Sequence, residues 1–191
     1  QIELSERVFL ITFHPETLGF ESPGHQIQEL IEALKLFPEA TLIFTAANAD
    51  PGGDRINYEI QNFVRSYGQA YFFTSLGSDN YYSIMSFADI VIGNSSSGII
   101  EAPYFDLQAI NIGLRQFGRI QGDNVINCSA KRKDITAAIN EAIDRIADNS
   151  FPNFSKPYGQ GGTTSKIIQT IKTSNLEGIE VKDFYDIINE K

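Results

Sequence analysis

Cysteine is nearly absent from this sequence, with Cys128 alone among 191 residues. An intramolecular disulfide is therefore excluded, and no zinc cluster can be assembled from thiolates. The lone thiol reads as a small buried residue rather than a nucleophile. Long apolar runs are missing too: none is long enough to span a bilayer, and the first residues carry no signal-peptide pattern. Basic residues are scarce, with 15 Lys and Arg against 24 Asp and Glu, a net charge of −9 and a pI near 4.7. Such a field argues against nucleic acid or an anionic membrane as the main partner, so any anion has to be held by a local site against the overall sign. No low-complexity run occurs, and a hydrophobic content of 42% suits one folded domain with a single core. A cytoplasmic protein is the expectation.

What is present alternates. Arg7 to Phe13 reads as a strand ending at His14-Pro15, and Ile27, Leu30, Ile31 and Leu34 recur at helical spacing between Gly24 and Phe37. Thr41 to Thr45 is a second strand, followed by the loop Asn48 to Gly53 and a helix carrying Ile56, Ile60, Phe63 and Val64 inward. Ala70 to Phe73, Ala88 to Ile92, Gln108 to Ile112 and Asn124 to Cys128 complete six strands. A short helix is expected from Asn80 to Phe87, and a longer one from Lys133 to Ala147 has Ile135, Ala138, Ile139, Ala142, Ile143 and Ile146 as its stripe. Apolar rather than alternating strands, separated by helices, predict an α/β fold with a doubly wound, Rossmann-like parallel sheet covered on both faces.

Such a sheet binds its ligand beyond the carboxyl ends of its strands. The residues there are His14; Asn48 and Asp50; Leu76-Gly77-Ser78; Asn94 to Ser97; and Gly113-Leu114-Arg115. The most informative is the turn Ile92-Gly93-Asn94-Ser95-Ser96-Ser97-Gly98-Ile99-Ile100-Glu101. A strand, a turn of small residues and a helix start from Gly98 to Ala102 combine unpaired backbone N–H groups, the positive end of the helix dipole and three hydroxyls, and a diphosphate fits such an arrangement. An ordinary serine N-cap is the alternative. His14 can donate to a phosphate whether neutral or charged, whereas His25, behind Pro23-Gly24, reads as a solvated or capping residue. Glu101 gains from the helix dipole or accepts two ribose hydroxyls. Arg115 and Arg119 lie in a glycine-containing loop past a strand end, where arginine is a natural phosphate ligand; a surface ion pair is the other reading.

Three motifs occur in order: His14-Pro15-Glu16-Thr17, Gly93 to Glu101, and Ile110-Asn111-Ile112-Gly113-Leu114-Arg115-Gln116-Phe117-Gly118-Arg119. They are followed by Asp123 to Cys128 and by Tyr158-Gly159-Gln160-Gly161-Gly162 before a last helix. Across nearly its whole length the chain resembles the C-terminal half of UDP-N-acetylglucosamine 2-epimerases, especially the hydrolysing type that makes sialic acid precursors. That resemblance implies one half of a GT-B-like two-domain enzyme. It implies that Ser95 and Ser96, in the turn with Ser97 and Gly98, hold the diphosphate. His14 then contacts phosphate and stabilises the leaving group, Glu101 takes the ribose hydroxyls, Arg115 assists at the phosphates and Asn48 lines the cleft. Arg119 matches the motif as well. Uracil is expected at the backbone of Leu76-Gly77-Ser78, on the strength of its strand-end position.

The family's reaction eliminates UDP across C1 and C2 of the sugar and then hydrates the glycal to N-acetylmannosamine. No cofactor or metal is expected beyond UDP or a UDP-sugar as ligand. The proton transfers need carboxylates against the sugar; the resemblance places those in the N-terminal half, and Asp50 and Asp79 read as turn residues. No catalytic acid or base is therefore expected in this chain. It begins at Gln1, with its first strand almost at once, and the expectation is an excised C-terminal domain, inactive alone, whose partner is the N-terminal half of an enzyme that is a homodimer when complete. Residues 1–173 are expected to form the UDP-binding domain. Residues 174–191, with Val181, Phe184, Tyr185, Ile187 and Ile188, form a tail packing on the other half. The sugar, N-acetylglucosamine or a 4,6-diacetamido relative, stays open. So do two other readings, the nucleotide half of another GT-B UDP-sugar glycosyltransferase and a non-catalytic nucleotide-sugar sensor.

Overall fold

The computed structural model describes residues 4–16, 21–148 and 154–181. It divides into a compact unit running to Tyr158 and a second unit from Gly159 onward. In the first, six parallel strands form one sheet: β1 (Arg7–Thr12), β2 (Ala40–Thr45), β3 (Ala70–Phe73), β4 (Ile90–Gly93), β5 (Gln108–Ile112) and β6 (Val125–Cys128), in the order β3-β2-β1-β4-β5-β6. This is the doubly wound sheet expected from the apolar strands. Its order reverses between β1 and β4, and strands leaving that fork in opposite directions open a crevice at their carboxyl ends.

The strands alternate between two layers, as their period of two requires. Phe9, Ile11, Leu42, Phe44, Ile90, Ile92, Ile110 and Ile112 face one side, where α1 (Pro23–Leu34), α2 (Gly53–Ser66) and α5 (Arg132–Ala147) cover them. Leu30, Ile60 and Ile139 bring the apolar stripes of those helices down onto the sheet, fully buried. Val8, Leu10, Ile43, Val91 and Ala109 face the other side, under Met85, Ala102 and Leu107. Cover there is lighter: α3 (Gly77–Met85), α4 (Ser97–Ile100) and a 3-10 turn (Ala102–Phe105).

Two elements differ from the sequence reading. The helix expected at Asn80–Phe87 begins three residues earlier, at Gly77, and ends at Met85. Met85 is its one fully buried side chain, so almost no periodicity marked its limits. The helix expected from Gly98 to Ala102 starts at Ser97 and ends at Ile100. Pro103 then removes the N–H needed to continue an α-helix, and the chain tightens into the 3-10 turn, which Asp106 closes at φ 53°. The residues Phe184, Tyr185, Ile187 and Ile188 of the expected tail lie outside the described residues. The second unit carries α6 (Thr163–Thr173), an amphipathic helix whose Ile167, Ile168 and Ile171 are exposed.

Candidate functional site

The fork between β1 and β4 is held by one side chain. Asn94, fully buried just past β4, accepts from the His14 amide at 2.7 Å and donates to the His14 carbonyl at 2.8 Å. Its own amide donates to the Thr12 carbonyl at 3.2 Å. Its carbonyl accepts from Gln116 Nε2 at 2.7 Å and from Arg115 Nη1 at 3.2 Å. The carboxamide thus continues the ladder past the last strand residue, and the backbone carbonyl draws the loop after β5 to the same point. Gly93 makes this approach possible: its φ is +135°, and a Cβ there would overlap the Thr12 carbonyl oxygen.

A cleft of about 380 Å³ opens at this fork. Its lining includes His14, Ser95, Ser96, Ser97 and Glu101, together with the Leu76-Gly77-Ser78 stretch at the start of α3. Ser96 stands at the N-cap position of α4 but makes no side-chain cap bond, so its hydroxyl is not used as an ordinary cap. Ser95 Oγ accepts from the Ser97 amide at 3.4 Å. The floor is built of hydroxyls. Thr12 and Thr45 pair through their Oγ1 atoms at 2.5 Å. Beside them the Tyr81 and Ser97 hydroxyls are both buried without a hydrogen-bond partner among the described residues, although the Tyr81 phenol faces the Ser97 and Thr12 hydroxyls. Burial holds the Tyr81 phenol above its usual pKa, so it stays a neutral donor. Polar hydroxyls left unpaired in a cleft wall are costly unless a ligand or water takes them.

His14 is oriented by its neighbour. The Asn48 amide donates to His14 Nδ1 at 3.0 Å, which leaves that nitrogen unprotonated and the proton of the neutral ring on Nε2. Burial and then the Arg115 guanidinium lower the imidazole pKa to about 4, against a smaller upward pull from Asp50. His14 is therefore a neutral, one-sided hydrogen-bond donor near pH 7.

The structure gathers His14, Ser95, Ser96, Ser97 and Glu101 at one cleft and sorts the other expected residues around it. Asn48 works through its backbone amide; its side chain donates to Asp50 and does not line the cleft. Gly98 is buried under the turn, where an added Cβ would lie 3.2 Å from Ala109 Cβ, so it serves close packing. Arg115 is exposed and reaches Asn94 from the loop after β5. Arg119 borders a separate cavity of about 750 Å³ with Lys131 and Cys128, which shares no described lining residue with the cleft. The Cys128 thiol is pushed up to about 12 by burial and by Asp134, as befits an inert residue. His25 is exposed in the first turn of α1, which Ser22 caps.

Sequence reasoning missed Asn94, Gln116 and Asn124 as organisers, and Tyr81 as cleft lining. Asn124, fully buried, donates to the carbonyls of Gly98 and Leu107 at 3.2 and 3.1 Å and so ties the first turn of α4 to the segment entering β5. Glu16 belongs to the motif that opens with His14, and its role shows only in the structure. Its Oε1 accepts from the amides of Leu114 at 2.7 Å and Arg115 at 3.2 Å, and its Oε2 accepts from Gln26 Nε2 at 3.2 Å.

Comparison with known proteins fits this geometry. A sequence profile described as UDP-N-acetylglucosamine 2-epimerase matches residues 1–172. GDP/UDP-N,N'-diacetylbacillosamine 2-epimerase (hydrolyzing) from Campylobacter jejuni is 39% identical over 189 residues, covering 98% of this chain and 49% of that protein. Polysialic acid biosynthesis protein P7 of Escherichia coli is 36% identical over 186 residues, 96% of this chain and 47% of the relative. The chain therefore spans about half the length of these curated relatives. The crystal structure of UDP-GlcNAc 2-epimerase from Neisseria meningitidis bound to UDP-GlcNAc superposes with a TM-score of 0.69 at 17% identity, over 88% of this chain and 45% of that one, and shares its fold.

Proposed function

The chain belongs to the UDP-N-acetylglucosamine 2-epimerase family, and from that premise we propose that it is the UDP-binding half of a hydrolysing 2-epimerase. The observation that carries the reading is the neutral His14, with Nδ1 occupied and its proton on Nε2, in one cleft with the Ser95 and Ser96 hydroxyls and the Glu101 carboxylate. Neutral donors on one side and a carboxylate on the other match the two ends of a nucleoside diphosphate. Hydroxyls and imidazole donate to phosphate oxygens; Glu101, which has no ion-pair partner among the described residues, accepts from the two ribose hydroxyls. Arg115 adds positive charge at the phosphate end.

The reaction proposed for the whole enzyme starts when a base removes the proton on C2 of the sugar. The C1–O bond breaks, its electron pair leaves with the β-phosphate of UDP, and a C1=C2 double bond forms. Water then adds, its hydroxyl to C1 and a proton to C2 on the opposite face, giving N-acetylmannosamine. This chain's part is to stabilise the departing diphosphate with donors already in place, where fixed dipoles are worth more than mobile water. The acid and base belong to the other half, and the sugar is N-acetylglucosamine or a 4,6-diacetamido relative. Residues 1–173 form the UDP-binding domain in this reading, residues 174–191 pack on the other half, and the whole enzyme is a homodimer.

Calorimetric titration of UDP into this chain, with Ser95→Ala and Glu101→Ala alongside, tests the proposal. Micromolar to millimolar binding is expected, weakened about tenfold or more by either substitution, since each removes a hydrogen bond to a charged or polar ligand group. The unmodified chain is expected to release no N-acetylmannosamine from UDP-N-acetylglucosamine. Binding indifferent to both substitutions, or turnover by this chain alone, overturns the reading.

A further inference from the structure

We propose that Glu16 is a positioning residue, its carboxylate seated in a backbone anion nest formed by Leu114 and Arg115 and thereby holding the Arg115 guanidinium at the rim of the cleft. Two successive N–H groups converge on Oε1, the arrangement by which backbone binds an anion. Gln26, almost wholly buried in α1, fixes Oε2, so the carboxylate is held from both sides. The loop is shaped to receive it. Gly113 has φ +76°, and a Cβ there would collide with the Glu16 carboxylate. These bonds join residues 98 and 99 positions apart in the chain, tying the exit of β1 to the exit of β5.

Arg115 needs such a hold. It stands on an exposed loop, and its one described hydrogen bond from the side chain reaches the Asn94 carbonyl at 3.2 Å. A long, exposed side chain keeps much rotamer freedom, so the position of its backbone decides whether the guanidinium stays near His14. Glu16 contributes by geometry and by charge together. A glutamine in its place still offers one carbonyl oxygen to the nest, but as a neutral acceptor with a weaker hydrogen bond. An alanine offers none.

The consequence for ligand rests on the nucleotide reading above; the consequence for His14 does not. Two measurements on the 191-residue chain therefore separate the ideas. In the first, UDP is titrated into the parent chain, Glu16→Ala, Glu16→Gln, Arg115→Ala and the double variant Glu16→Ala/Arg115→Ala. Glu16→Ala is expected to weaken UDP on the order of tenfold, Glu16→Gln to keep most of the affinity, and the double variant to bind no worse than Arg115→Ala. In the second, the His14 ring is titrated by NMR without ligand. Arg115 lowers its pKa and Asp50 raises it, so loss of the guanidinium from the rim moves the titration up from about 4 in both Glu16→Ala and Arg115→Ala. Fully additive losses in the double variant, or a His14 titration unmoved by Glu16→Ala in a chain that Arg115→Ala does shift, overturns the proposal. Should the parent chain bind no UDP, the nucleotide reading falls, and the His14 titration still decides the role of Glu16.

Discussion

Along β1, Phe9 and Ile11 enter the layer covered by α1, α2 and α5, while Val8 and Leu10 enter the layer under α3, α4 and the 3-10 turn. The first layer is closed with long helices and large side chains; Phe44 meets Phe63 edge-on at 6.0 Å, and Phe9 meets Phe37 in the same way. The second is closed with short elements and a phenol, and it leaves the hydroxyls of Tyr81 and Ser97 unpaired. The same strands supply both layers. What differs is the covering, and the lightly covered layer is the one that borders the cleft. The thick layer carries the large apolar contacts, and the thin one sets its two unpaired hydroxyls beside the cleft; the thick layer's own unpaired hydroxyl, on Tyr67, lies away from the cleft lining.

The largest effect that would break this division comes from the thick layer. Phe44→Ala, at a fully buried position, is expected to cost about 3–5 kcal/mol in denaturant unfolding. UDP affinity should be unchanged wherever the variant is folded; a variant that instead bound poorly while remaining stable would erase the distinction. A smaller effect of opposite sign is expected from the thin layer. Tyr81→Phe removes a buried hydroxyl that has no partner, so it should raise the stability of the ligand-free chain by roughly 1 kcal/mol. It should also weaken UDP if that hydroxyl serves the ligand. Loss of stability on making this change would mean that the phenol is already satisfied, and the contrast between the layers would shrink.

An effect that appears only on acidification belongs to the rim between them. His14 has a folded pKa of about 4 against an ordinary 6.5, so between those values the unfolded chain binds more protons than the folded one. Stability therefore falls as the pH drops from about 6.5 toward 4, and the part contributed by a neutral His14 is complete above that window. His14→Gln should flatten this portion of the profile when unfolding midpoints are compared at pH 7 and pH 4.5. An unchanged slope would assign the acid sensitivity to other groups.

The strands and the long helices were legible because a parallel sheet buried on both faces writes itself as β-branched runs, and its helices as stripes. Ile135, Ala138, Ile139 and Ala142 of α5 are all buried as the spacing predicted, while Ile146, at the last turn, is exposed. The limits of α3 were not legible, because a helix with one fully buried side chain has no stripe to read. At the cleft, the residues themselves could be named from strand-end position: His14, the serines and Glu101 do meet. Their supports could not. Asn94 binding His14, Glu16 binding Arg115 and Asn124 binding Gly98 are pairings across 80, 99 and 26 residues, made by polar side chains that carry no periodicity. Arg119 illustrates the opposite limit: four residues from Arg115, which reaches the Asn94 carbonyl, it borders a separate cavity.

Asn94 is committed wholly to the protein. Every hydrogen-bonding group it owns is engaged by protein, at Thr12, His14, Arg115 and Gln116. An aspartate of the same shape could not donate to the His14 carbonyl and would set a charge against it, so the position admits almost no chemical variation. The crevice is thus preorganised by folding itself. A ligand arriving there finds the imidazole and the serine turn already ordered, and little of its binding free energy goes into arranging them.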